Sequence, residues 1–310
     1  MKRYRLSALA GLTGLTLAGA IFPATAAHAD TLPLAPLCAE QRDTTGTQYA
    51  VNLCDVTDVD QFRTHLDAKG NTHCGPTSLY NAMYYLGEHK GLPMRVVPNG
   101  QLMTEYDPAV PADYDPVTAW LGWLGYKAGM SASDPSGSSA SGNRVAFDAA
   151  TAGAKASGWT VNRGGTGTDS TPEFGLEIAK RLRQAPVQLW YGRYVLNADK
   201  THTRTGGHAV TVVAAKGDVG SGKVELTLHD PARSDDHKSP GYLDTQSETR
   251  GEKVTLYRVA INVKSTPEDP NEQPTIKQHT YWRLMGENYI GDTFPYVEAM
   301  NWFEAAPPVG

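Results

Sequence analysis

The spacing of apolar residues changes character once along this chain, at Pro186, and nothing else in the sequence constrains the fold as tightly. Ahead of Pro186 the spacing is helical. Leu79, Ala82, Met83 and Leu86 stand at i, i+3, i+4 and i+7 in a helix expected from about Gly75, with Gly87 and Gly91 as its possible stops. A second helix is expected from Asp115 as cap, with Pro116 at its first position and Val117, Trp120, Leu121 and Leu124 on one face. Residues 131–142 are rich in Ser, Gly and Asp and read as a surface loop. Asn143 then offers a cap for a third helix ending before Gly158, and Ser170 with Glu173 forms a capping box ahead of Phe174, Ile178 and Leu182. After Pro186, residues 187–195, 208–215, 224–229 and 254–263 are rich in β-branched and aromatic residues and bounded by Gly, Asp and Pro, as strands are. Helices first and strands later, without a repeat, imply an α+β fold with an antiparallel sheet. Residues 265–275 read as a loop before a last aromatic-rich segment, Tyr281 to Phe303.

The N-terminus carries an export signature. Lys2, Arg3 and Arg5 precede an apolar run from Leu6 to Phe22, and Ala27-His28-Ala29 is a small-x-small cleavage site. Residues 1–29 therefore read as a signal peptide, too short in its apolar run for a membrane anchor. The mature chain, from Asp30, is expected to be secreted, without membrane insertion. The net charge of −5 becomes more negative when three basic residues leave with the signal. An acidic chain without a basic stripe excludes nucleic acid and anionic membrane surfaces as expected partners. Residues 30–70, with Pro33, Pro36 and the polar cluster at 43–47, look irregular and read as an N-terminal arm ahead of a domain over 71–310. The arm suits either a structural role or that of an inhibitory propeptide.

Three cysteines stand at 38, 54 and 74. In an oxidising compartment Cys38 and Cys54, close together in the arm, are expected to pair. Their loop of about 15 residues would contribute about 3 kcal/mol in the chain-entropy description. Cys74 is then a free thiol at the start of the first helix. Unsatisfied N–H groups and partial positive charge at a helix start favour the thiolate and can also stabilise an oxyanion. A plain buried-cysteine reading leaves the Gly75-Pro76 entry beside it without a purpose.

A thiolate needs a base. His208 follows Gly206 and Gly207 at the mouth of a strand, where the glycines leave room for a ligand. His73 adjoins the nucleophile, but adjacent residues at a helix start point apart. His229 should face away from residue 230 on its strand. Residues 216–223 read as a hairpin connection. Folding it near residue 219 sets Asp230 directly across from His208, where a carboxylate orients the ring and stabilises imidazolium.

Cys74-Gly75-Pro76-Thr77-Ser78, then Gly207-His208-Ala209-Val210, then His229-Asp230-Pro231-Ala232 resemble, in this order, the papain-like cysteine peptidases. The likeness is greatest to the bacterial double-glycine leader-peptide peptidases and their secreted single-domain relatives, and it covers about residues 70 to 262. It implies a papain-like α+β fold, with the Cys on a helix in one lobe, the His and Asp on a sheet in the other, and a cleft between. It also implies thiol-dependent acyl transfer, usually hydrolysis of a peptide bond, on peptide, protein or cell-wall amide substrates, without metal or other cofactor. Family members often carry a Gln six residues before the nucleophile, which donates to the oxyanion; that position here is Ala68. Asn71, three before Cys74, has a suitable amide and equally suits a turn or cap.

Other readings compete. The same triad serves a crosslinking acyltransferase, and the fold without its chemistry serves as a binding module. A metal site built from Cys74, His208 and Asp230 lacks a close-spaced ligand pair. Gly220-Ser221-Gly222 is a hairpin turn rather than a serine-nucleophile motif, and no phosphate loop, dinucleotide fingerprint or nucleic-acid module is present.

Overall fold

A computed structural model describes residues 47–95, 100–132, 136–167, 171–232, 251–267, 269 and 271–309. The signal peptide expected over 1–29 and most of the arm lie outside the described residues. What is described combines four α-helices with an antiparallel sheet, an α+β arrangement. The helices are α1 (Cys74–Lys90), α2 (Tyr114–Lys127), α3 (Ala140–Ala156) and α4 (Phe174–Leu182). The strands are β1 (Gln48–Asn52), β2 (Thr160–Thr166), β3 (Val187–Leu196), β4 (His202–Asp218), β5 (Lys223–His229), β6 (Glu252–Lys264), β7 (Ile276–Met285) and β8 (Phe294–Ala306).

The 17-residue β4 organises the sheet. One edge pairs with β3 along 202–212 and with β1 along 214–218; the other pairs with β5. From β3 the sheet continues through β8, β7 and β6 to β5, which returns to β4. Six strands thus form a closed ring, with β2 added on β8. Closure satisfies the backbone groups that an open sheet would leave at its edges.

Four strands are not read as such from the sequence: β7 and β8 lie in or beside the segment read only as aromatic-rich, and β1 and β2 are not visible in the apolar pattern. β1 falls inside the segment expected to be an irregular arm, yet its alternating Tyr49 and Val51 are buried. Five residues of alternation are too few to stand out beside Pro- and Thr-rich neighbours. β2 contains Asn162, Arg163, Gly164 and Gly165, and its pairing along β8 overrides that poor strand composition.

Helix starts also differ from expectation. α2 begins one residue before Asp115, which instead pairs with His65 at the surface. α3 is capped by Ser139, whose Oγ accepts from the Gly142 N–H at 3.0 Å, and not by Asn143. Ser139 has the extended backbone that a cap requires; Asn143 is buried within the helix and donates to Ser138. Of the two stops considered for α1, Gly91 ends it, in the left-handed conformation.

From Gly75 to Gly87 only Tyr84 on α1 is not buried, so this helix is enclosed on all sides. It packs on α2 and α3 and against β3, β4 and β8. A polar knot fixes its first turn to the sheet. Gln188 on β3 donates to the Gly75 carbonyl and the Ser78 hydroxyl, both at 2.8 Å. Its own Oε1 accepts from Trp190 Nε1 at 3.0 Å and from Asn301 on β8 at 2.8 Å. One turn on, Asn81 donates to Thr211 of β4. Gln188→Leu keeps the volume but leaves four polar groups without this partner. Stability should fall by about 2–3 kcal/mol, read as a lower urea midpoint with an unchanged slope.

Candidate active site

Cys74 is the first residue of α1 and a half-buried free thiol. His208 lies on β4 opposite Tyr191 of β3, and Asp230 follows directly after β5. Both are buried, and His208 Nε2 meets Asp230 Oδ1 at 2.5 Å. Cys74 and His208 line the same cleft, and their charges interact.

The contact between His208 and Asp230 is not the direct opposition expected from the hairpin. Thr211 pairs with His229, so the ladder continued one step sets Asp230 across from Val210, and His208 meets it diagonally. The turn centres beyond residue 219, which displaces the expected register, and Val213, an extra residue between the pairs Val212–Leu228 and Ala214–Thr227, takes back one residue of that displacement. The Val213 carbonyl accepts from the Leu53 N–H. Diagonal neighbours in an antiparallel pair remain within reach of long side chains.

Asp230 is held from two further directions. Its Oδ1 also accepts from the Ala232 N–H at 3.0 Å, and its Oδ2 accepts from the Tyr289 hydroxyl at 2.8 Å. Tyr289 sits in a short 3-10 turn between β7 and β8, and sequence reasoning missed it. No local signal marks it, because it reaches the site only when the ring of strands closes. Tyr191 packs edge-on against both His208 and Tyr289, walling the imidazole from water.

The electrostatics favour a charged pair. Burial pushes the Cys74 thiol up. The charge and hydrogen bond of His208 and a hydrogen bond from Ala209 outweigh it, leaving the thiol below its ordinary value. Burial pulls His208 down, but the Asp230 carboxylate, with Tyr191 and Cys74, holds it well above an ordinary imidazole. Burial raises Asp230, and the charge of His208 more than reverses this. Both shifts at the dyad favour thiolate beside imidazolium.

Cys74 and His208 face a cleft of about 720 Å³. Ser138 and Ala140 line one side, Trp190 and Tyr191 another, and Asn71 and Gln61 a third. A side chain at Gly75 would strike Ser138 Oγ at 2.1 Å and Trp190 at 2.7 Å, so only glycine lets these walls meet beside the thiol. A second hollow, about 540 Å³ over β1, β4, β5 and β6, contains none of the three groups.

Asn71 lines the cleft beside Cys74, and among the described residues its side-chain amide has no hydrogen-bond partner. Ala68, Lys69 and Gly70, just before it, all have positive φ. At Gly70 a Cβ would sit 1.7 Å from the Gln61 carbonyl oxygen, so this close approach requires glycine. Gln61, a second amide missed by sequence reasoning, donates to the Gly70 and Asn71 carbonyls at 3.1 and 3.4 Å. Its backbone N–H reaches the Pro231 carbonyl, so one residue ties the loop before Cys74 to the loop carrying Asp230. Cys74, His208 and Asn71 thus share one cleft, with Asp230 buried behind His208. The expected Cys38–Cys54 disulfide involves Cys38, which lies outside the described residues. His73 directly precedes α1 with its ring packed near Gly125, where burial lowers its pKa. Among the described residues, no three or more His, Cys, Asp or Glu side chains are grouped so as to hold a metal ion. The chain matches no protein-family model, and a search of curated proteins finds no match either.

This geometry makes two outcomes measurable. Tyr289→Phe removes one bond to Asp230 and loosens the imidazole. Cys74 alkylation at acidic pH should slow about threefold to tenfold, with the pH profile displaced upward. His229, beside Asp230, is buried, and burial lowers its pKa to about 4 from 6.5. The folded chain keeps this ring neutral while the unfolded chain protonates, so its contribution is full above pH 6.5 and lost as pH falls toward 4. The loss is on the order of 3 kcal/mol. Urea unfolding from pH 7 to 4 should show a shallower acid decline in His229→Gln than in the unsubstituted protein.

Proposed function

We propose that this protein is an exported, papain-like thiol hydrolase that cleaves a peptide or related amide bond through Cys74, His208 and Asp230. One observation carries the reading. A single buried imidazole is hydrogen-bonded to a carboxylate and electrostatically coupled to a free thiol at a helix start, in the wall of a cleft. The nucleophile helix against one side of the cleft, with base and carboxylate on the sheet, supports the papain-like assignment. The signal-like residues 1–29 support export.

In this mechanism the Cys74 thiolate adds to the carbonyl carbon. The developing oxyanion is met by N–H groups at the start of α1 and by the Asn71 amide. As the C–N bond breaks, the His208 imidazolium gives its proton to the leaving amine. The thioester is then attacked by a water that His208 deprotonates; the acid departs and the thiol is restored. An amine in place of that water gives acyl transfer from the same thioester. Asp230 stays ionised throughout and holds the ring, as the carboxylate of a triad does.

The test is Cys74 alkylation by iodoacetamide across pH, followed by intact mass. The lowered thiol and raised imidazole predict fast reaction well below pH 8.5, the midpoint of an ordinary thiol. His208→Ala should return the profile to the ordinary one. Hydrolysis of a peptide library should follow a bell, rising as Cys74 ionises and falling as His208 loses its proton, and vanish in Cys74→Ala. Ordinary alkylation regardless of His208 overturns the reading and leaves a binding module in its place.

A further inference from the structure

Resting on the hydrolase reading, we propose that Arg193 selects substrates bearing a carboxylate within about two residues of the scissile amide. Arg193 lies on β3 two residues beyond Tyr191, the residue opposite His208. Alternation places Arg193 on the same face as Tyr191, about 7 Å further along the strand. Its side chain lines the same cleft as Cys74 and His208.

The other charges of this wall are already matched. Arg204 binds both oxygens of Glu298, through Nε at 2.7 Å and Nη2 at 2.9 Å. The Tyr194 hydroxyl adds a third bond to Glu298 at 2.8 Å. Glu298 is the extra residue of a bulge in β8, between partners Ala299 and Val297 of the consecutive residues Trp190 and Tyr191. The bulge turns its carboxylate over Gly192, where a Cβ would lie 2.1 Å from Oε1. Arg204 and Glu298 therefore form a closed pair.

Arg193 differs. It is exposed, lies near the neutral Tyr191 hydroxyl, and pairs with no carboxylate among the described residues. Its cross-strand neighbour is Gly206, and a Cβ there would meet nothing within 4 Å. A guanidinium beside open space, in the same cleft as the reacting thiol, suits a carboxylate held by two parallel hydrogen bonds. The carboxylate comes either from an acidic side chain or from the C-terminus of a short peptide.

Two alkylating agents of similar size, anionic iodoacetate and neutral iodoacetamide, test the charge directly. The ratio of their rates at Cys74, at about pH 6, cancels changes in thiol reactivity. Arg193→Gln should lower the iodoacetate-to-iodoacetamide ratio roughly threefold to tenfold, and Arg193→Lys less. Salt at about 1 M should bring the unsubstituted protein toward the Gln variant. Protection of Cys74 by short peptides then separates the two sources. N-acetyl-Ala-Glu-Ala-amide reports the acidic side chain, N-acetyl-Ala-Gln-Ala with a free carboxylate reports the C-terminus, and N-acetyl-Ala-Gln-Ala-amide is the neutral reference. An unchanged ratio in Arg193→Gln, or no advantage of either acidic peptide over the neutral one, overturns the proposal. If Cys74 still reacts fast at acidic pH through His208, the hydrolase reading survives that failure. If Cys74 is sluggish there, both fall.

Discussion

The attachment of α1 to β3 by one side-chain amide sets the geometry of everything at the cleft. Gln188 reads the Gly75 carbonyl and the Ser78 hydroxyl on the helix while being held by Trp190 and Asn301 on the sheet. A helix buried on every face has no soluble side along which it can slide, and this knot fixes its remaining freedom along its axis. The thiol at its tip therefore shares a cleft with an imidazole on a different layer. Buried polar networks are costly when incomplete, and this one completes itself across three elements.

A second dependence runs through Asp230. Three donors converge on its carboxylate, from His208, Ala232 and Tyr289. They come from β4, from the chain after β5 and from the turn between β7 and β8. Closing the ring of strands is what brings the last of these into reach. The charge state of the dyad is in this sense a property of the whole sheet, since the imidazole is held protonated by a carboxylate that other strands keep ionised.

How much of this was legible in the sequence follows from how local each signal is. The four helices and the four strands with long apolar or aromatic runs were legible because their periodicity is intrinsic. Cys74 and His208 were legible from their immediate neighbours, a helix start and a glycine-led strand. Asp230 was reached with a register two residues away from the observed one, because the centre of the turn, like the bulge at Val213 that partly offsets it, leaves no mark in composition. β1 and β2 depend on β4 and β8 for their existence, and Tyr289, Gln61 and Arg193 gain their roles only through contacts distant in sequence. Asn143 and Asp115 had the right chemistry for caps, but backbone conformation, which composition does not report, gave α3 to Ser139 and left Asp115 at the surface.

The bulge at Val213 also divides β4 into two halves with different phases. Side chains change face at every residue along a strand, and one surplus residue resets that alternation. The half bearing His208 can thus address the cleft while the half beyond Ala214 serves β1 and α4. Changes of chain length are consequently not equivalent along this hairpin. At its tip, where Gly220 and Gly222 already take positive φ, an added residue only enlarges a loop. Between His208 and Val213, a single residue gained or lost would turn the imidazole away from its carboxylate, so this short stretch of β4 has a fixed length.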